Sequence, residues 1–202
     1  KLPQQAVLAL IAGDDQGEDL LIEIARSRAV RDDAWAPVWA LVTLGERRSP
    51  RALPAILDCI RTGSDLVHEA AEFALLRYGE SAVDPILGFL DENPALEGRV
   101  HLYSVLAASR VRRAIDYLIG QLRLDEECAA PVAWALAETR DPFAIAAIER
   151  ESQRLGGREP EVGEALEAAR GTDDLSNPLF QDWRAHWTFE DEDDAESEVE
   201  EE

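Results

Sequence analysis

Apolar positions along this chain recur with a period near 3.6, the spacing of one helical face, and no useful stretch alternates with the period of two that marks a strand. Val83, Ile86, Leu87 and Leu90 fall at i, i+3, i+4 and i+7, and Leu118, Ile119 and Leu122 follow the same spacing one segment later. Four segments align with one another: "WALVTLGERRSPRALPAIL" from Trp39, "FALLRYGESAVDPIL" from Phe73, "SVLAASRVRRAIDYLI" from Ser104 and "WALAETRDPFAIAAI" from Trp134. Their shared leucines, Leu41, Leu75, Leu106 and Leu136, lie 34, 31 and 30 residues apart. Each segment reads as an apolar helix ending at a small or turn residue (Gly45, Gly79, Ser109, Thr139), a short polar turn, and a second helix. Between segments stand "RDD" at 31–33, "TGSD" at 62–65, "DENP" at 91–94, "LDEE" at 124–127 and "GGREPE" at 156–161, whose Asp and Ser residues suit the capping of the helix that follows.

A period of about 30 residues with two helices in each is the signature of a helical repeat. A lone helix pair has an apolar face in excess of what it can bury, so neighbouring pairs must stack, and the expected fold is an all-α right-handed superhelix, an α-solenoid. The "ALVTLG" and "PAIL" layout across 40–57 and "AAEFALLRYGESAVDPIL" at 70–87 resemble the HEAT-repeat family, in particular the short HEAT-like repeats of the phycobilisome-lyase type. Pro37 suits the kinked first helix of such repeats. The resemblance covers about residues 3–170 and implies about five helix pairs followed by a half repeat. The expected organisation is a HEAT-like solenoid over 1–175, an aromatic capping or docking segment over 176–189 and a disordered acidic tail over 190–202.

Composition narrows the function. The chain has 202 residues, 46% of them hydrophobic, which is enough for one domain with a real core. No stretch approaches eighteen apolar residues, and the N-terminal residues do not form a convincing secretory signal, so a cytoplasmic protein that does not engage a membrane is expected. Cys59 and Cys128 stand in apolar helical contexts and read as two buried thiols. The net charge is −22. Glu190 to Glu202 contributes ten negatives and no positives, and subtracting them leaves −12 for residues 1–189. A body this acidic repels phosphate backbones, which argues against nucleic acid and favours a basic protein partner over an acidic one.

"HEAAE" at 68–72 is the one stretch that suggests metal chemistry. It resembles the zinc-protease helix H-E-x-x-H with Glu in place of the second His. A catalytic zinc needs three protein ligands and an open position. The other histidines are His101 and His186, and His101 is two positions out of register with His68, a rotation of about 200° that puts it on the opposite helix face. "HEAAEFALLRYG" also resembles a repeat of deoxyhypusine hydroxylase, a HEAT-like enzyme family whose His-Glu dyads together hold two irons. The equivalent stretches here, "WAPVWALVTLG", "HLYSVLAAS" and "APVAWALAET", contain no such dyad. His68 and Glu69 are therefore expected to be solvated residues at a helix start, with no catalytic, cofactor or metal site. Gly156-Gly157 reads as a break between helices, not a phosphate loop. A HEAT-like enzyme or metal protein, related to the hydroxylase or to bilin lyases, is the alternative reading.

Two features stand above this background. Eight of nineteen arginines, Arg47, Arg48, Arg51, Arg77, Arg110, Arg112, Arg113 and Arg140, fall at the turns within repeats, while acidic residues such as Asp65, Asp91 and Glu92 fall at the turns between them. Both kinds of turn join a helix C-terminus to an N-terminus, so helix dipoles alone do not predict opposite signs. The second feature is the aromatic group Phe180, Trp183, Trp187 and Phe189 just before the acidic run. The expected function is a non-catalytic scaffold, a monomer that binds a protein partner. The candidate contact residues are Arg47, Arg51, Arg77, Arg110, Arg113, Arg140, Phe180, Trp183 and Trp187. The acidic run is also expected to visit the arginine-rich edge of its own chain.

Overall fold

The structure, a computed structural model, describes residues 9–13, 15–27, 35–96, 98–124 and 128–171. Ten α-helices account for nearly all of them: α1 (Asp15–Arg26), α2 (Ala36–Arg47), α3 (Leu53–Thr62), α4 (Asp65–Tyr78), α5 (Val83–Glu92), α6 (Arg99–Ala108), α7 (Arg112–Leu124), α8 (Ala129–Thr139), α9 (Pro142–Leu155) and α10 (Pro160–Arg170). A 3-10 turn, Gly79–Ala82, joins α4 to α5. The described residues contain no strand, as the helical period implies. Among them no helix is long and apolar enough to cross a membrane.

The even-numbered helices α2, α4, α6, α8 and α10 pack each against the next. Every odd-numbered helix packs against the even one that follows it, so the chain is built of successive layers that share one continuous core. The shared leucines Leu41, Leu75, Leu106 and Leu136 are all fully buried on the even-numbered helices. On α5, Val83, Ile86 and Leu90 are buried and Leu87 is half-buried, which is the face that the i, i+3, i+4, i+7 spacing requires.

Gly45 does not end its helix. The last turn of α2 continues to Arg47, and Gly45 is instead the point of closest approach to α4, where an added Cβ would stand 2.6 Å from the Cα of Ala74. This first repeat has the longest spacing to the next, 34 residues, and the extra residues form that additional helical length. Just past the ends of α2, α4, α6 and α8 stand Arg48, Gly79, Arg110 and Arg140, with φ of 52°, 58°, 54° and 50°. A left-handed conformation is easy for glycine and costs an L side chain free energy. Arg48→Gly is therefore expected to raise stability by about 0.5–1 kcal/mol; a melting temperature below that of the wild type would contradict the assignment.

The caps also differ from expectation. Ser64 stands at the N-cap of α4 but makes no side-chain capping bond there. Asp141, inside a repeat, does cap, accepting from the N–H groups of Phe143 and Ala144 at 2.8 and 3.2 Å. Both cysteines are buried free thiols. Cys59 donates to the Ala25 carbonyl at 3.3 Å, and burial, then the charge of Asp58, pushes its thiol up to about 11. The sulfur of Cys128 accepts from Nε of Arg99 at 3.0 Å.

Candidate functional site

The arginines at the turns within repeats share an origin but divide into two kinds. Those of the first kind reach back about one repeat to a carboxylate. Arg47 lies 3.5 Å from Glu18, with both side chains at least nine-tenths buried, and it also donates to the Leu10 carbonyl. Ser49 donates to the same Glu18 at 2.6 Å. Arg51 meets Asp19 at 2.6 Å, Arg77 meets Glu46 at 3.0 Å, and Arg113 meets Asp84 at 2.8 Å and Glu80 at 3.6 Å. Arg77 also lies 5.9 Å from the centre of the Phe73 ring. These side chains tie neighbouring layers together. The exposed pairs contribute little each, whereas Glu18 and Arg47 are buried deeply enough that removing one would strand the other.

The second kind lies towards the C-terminal end. Arg110 and Arg140 are exposed, and each stands in a left-handed conformation just past the end of its helix, α6 and α8. Arg112 pairs with Asp116 one turn away and lies 4.6 Å from the centre of the Phe143 ring. Phe143 is itself 62% exposed. The structure thus brings Arg112 against the exposed Phe143 ring, with the exposed Arg110 and Arg140 at the turns just before α7 and α9; Arg112 and Phe143 are not among the sequence-derived contact candidates. Phe180, Trp183 and Trp187, the run 190–202 and the boundaries at 175/176 and 189/190 lie outside the described residues.

The histidines correct an expectation. His68 and His101 do not point apart: their ring centres are 5.4 Å from each other. The 200° rotation holds for two positions superposed on one helix. Side chains that meet across two neighbouring, similarly directed helices must lie on opposite faces of them, so the same rotation brings His68 of α4 towards His101 of α6. Nδ1 of His101 is 2.7 Å from Oε2 of Glu72, a carboxylate of α4 that is about nine-tenths buried. His68 and Glu69 are half-buried, not fully solvated. The hydrogen bond to Glu72 raises the His101 pKa; burial opposes it, and the charges of Glu72, Glu69 and Asp65 add to it. Among the described residues no three His, Cys, Asp or Glu side chains are placed to hold a metal ion together.

Glu138, near the end of α8, is a further titratable group that the sequence reading did not single out. It is half-buried, and among the described residues it has no hydrogen-bond or ion-pair partner. Burial, then the charge of Glu72, pushes its carboxyl up to about 7. A raised folded pKa means that the folded chain keeps a proton that the unfolded chain has already released. The associated stability is therefore present below the unfolded value near 4.5 and is lost as pH rises through about 7. The His101 interaction has the same sign, being present at low pH and lost as pH rises through its raised value. Glu138→Gln cannot ionise and should exceed the wild type in stability at pH 8 by about 1–2 kcal/mol, a figure reduced for the carboxyl's partial exposure, with no advantage at pH 4. Urea unfolding at pH 4, 6 and 8 checks this, and a gap that fails to widen with pH would refute it.

No family model matches the chain, and no curated protein matches it.

Proposed function

We propose that the chain is a non-catalytic scaffold, an α-solenoid of HEAT-like helix pairs that binds a protein partner through its side-chain surface. The observation that carries this reading is the exposed Arg112–Phe143 contact, with the exposed Arg110 and Arg140 at the adjoining turns. Arginine and aromatic side chains are the commonest anchors of protein interfaces. Two of these arginines also occupy left-handed backbone positions that glycine would fill at lower cost. The repeated layout, in which every odd-numbered helix packs on the even one after it, supports a solenoid, since such a chain grows by adding layers and leaves a long surface for a partner. The net charge of −22 favours a partner that is basic overall, with an acidic segment of that partner meeting these arginines. The aromatic segment around Phe180, Trp183 and Trp187 serves as a second docking arm.

A photo-crosslinking residue in place of Arg110, in the full chain and in extract of its host, tests the reading. A scaffold gives one or a few discrete adducts, which weaken when Arg112 and Phe143 are replaced by Glu and Ala. The same crosslinker in place of Gly88, on the open side of α5, serves as control. Adducts of equal yield and pattern at both positions, or none at Arg110, would overturn the proposal.

A further inference from the structure

The even-numbered helices carry equivalent side chains two residues before and two residues after each shared leucine. The pairs are Trp39 and Thr43 on α2, Phe73 and Arg77 on α4, Ser104 and Ala108 on α6, and Trp134 and Glu138 on α8. Residues four apart share a helix face, so each pair lies on one side of its helix. On α2 and α4 the aromatic member is buried, with Trp39 closed over by Trp35 and Phe73 lying beside Arg77. On α6 both members are small. The α6 helix that packs on α8 thus offers no bulky side chain at this register, and the aromatic ring of the α8 pair is 36% exposed, unlike those of Trp39 and Phe73.

The carboxyl in this pair is unlike the other charged groups around it. Arg77, at the position on α4 equivalent to Glu138, is committed to Glu46 and the Phe73 ring. Glu72, whose charge Glu138 senses, is held by His101. Glu138 alone of these groups is half-buried and without a partner among the described residues. A desolvated carboxyl beside an exposed indole, with a second carboxylate adding negative potential, is chemically suited to a guanidinium or ammonium group: the ring receives the cation's face and the carboxylate its N–H donors.

We propose that Trp134 and Glu138 of α8, at the register where α6 carries the small side chains Ser104 and Ala108, form a seat for a basic side chain of a protein partner. This rests on the scaffold reading and supplies it with a second contact, of opposite sign to those arginines. Charge complementarity selects the occupant: the seat presents the Glu138 carboxyl, and residues 1–189 carry a net −12 even without the acidic run. A bound cation would stabilise the ionised form of Glu138, so seating it also releases a proton near neutral pH.

The test uses the full chain and a fluorescent peptide of alternating Arg and Gly, with Glu-Gly and Ser-Gly peptides as controls. Working at about 0.15 M ionic strength suppresses diffuse attraction to the Glu190–Glu202 run. The Arg-Gly peptide is expected to bind and the controls not to. Glu138→Gln should weaken binding by about tenfold, the scale of one charge-assisted contact, while Glu92→Gln, the same charge change at an exposed site on α5, should change it less than twofold. Trp134→Ala should also weaken it, and Glu138→Gln keeps the test valid if that variant fails to fold. Equal affinities for Glu138→Gln and Glu92→Gln would place the binding elsewhere and overturn the seat. Failure of the Arg-Gly peptide to bind would also overturn it. Neither result touches the crosslinks expected at Arg110, so the seat and the scaffold reading fail separately.

Discussion

Leu75→Ala, Leu106→Ala and Leu136→Ala are each expected to lower the stability of the chain by about 2–5 kcal/mol. These three leucines have no exposed surface and sit at the same register of α4, α6 and α8, the helices that pack in sequence through the centre of the molecule. Truncation removes the transfer free energy of the lost methyl groups and leaves a cavity bordered by two neighbouring helices, which cannot both collapse into it. Urea denaturation should show a lower midpoint. A layered protein can also lose cooperativity, so the slope should be compared among the variants. A loss below about 0.5 kcal/mol at all three positions, the scale of an ordinary surface change, would mean that the leucines do not share the buried register.

Gly45→Ala is expected to cost about 3 kcal/mol, at the upper end of the usual cost of overpacking. The obstacle is backbone: the new Cβ would lie 2.6 Å from the Cα of Ala74, which cannot rotate away as a side chain does. Either α2 and α4 separate, exposing core on both sides, or one helix shifts along the other and breaks the register of the ion pair Arg77–Glu46 between them. The sign sets this apart from a general helix-propensity effect. Gly88 in α5 and Gly120 in α7 are also helical glycines, but an added Cβ meets nothing there. Alanine at those positions should stabilise by about 0.5–1 kcal/mol. Thermal unfolding of the three variants checks the contrast. If Gly45→Ala melts with Gly88→Ala, above the wild type, the close approach of α2 and α4 is wrong.

The pH behaviour expected of Glu138 and His101 bears on both proposals. Each group favours the folded state at low pH, so the chain should lose some stability as pH rises through about 7 for Glu138 and through the raised value of His101. A cation seated against Glu138 reverses that trend locally, because it favours the ionised carboxylate.

The sequence alone was enough to establish the helical class and the register of the core. The 3.6 period is local, and once a helix forms, its apolar face must be buried, so Leu41, Leu75, Leu106 and Leu136 could be placed inside before any helix was packed against another. The burial of Cys59 and Cys128 followed from their apolar neighbours in the same way. Tertiary structure decided everything that depends on which helix lies beside which. Gly45 reads as a helix end because glycine ends helices, yet here it makes room for Ala74, which is 29 residues away. The arginines read as a uniform basic edge because Glu18, Asp19 and Asp84 stand about a repeat earlier, and only packing brings them within 4 Å of Arg47, Arg51 and Arg113. His68 and His101 read as divergent because a rotation was compared on one helix, when the contact is made across two. Trp134 and Glu138 form a visible i, i+4 pair, but nothing local indicates that Trp134 stays exposed where Trp39 and Phe73 are buried. A periodic pattern states which face of a helix is turned inward; the identity of the side chain opposite depends on the approach of a neighbour some thirty residues away, and that is a property of the packed structure.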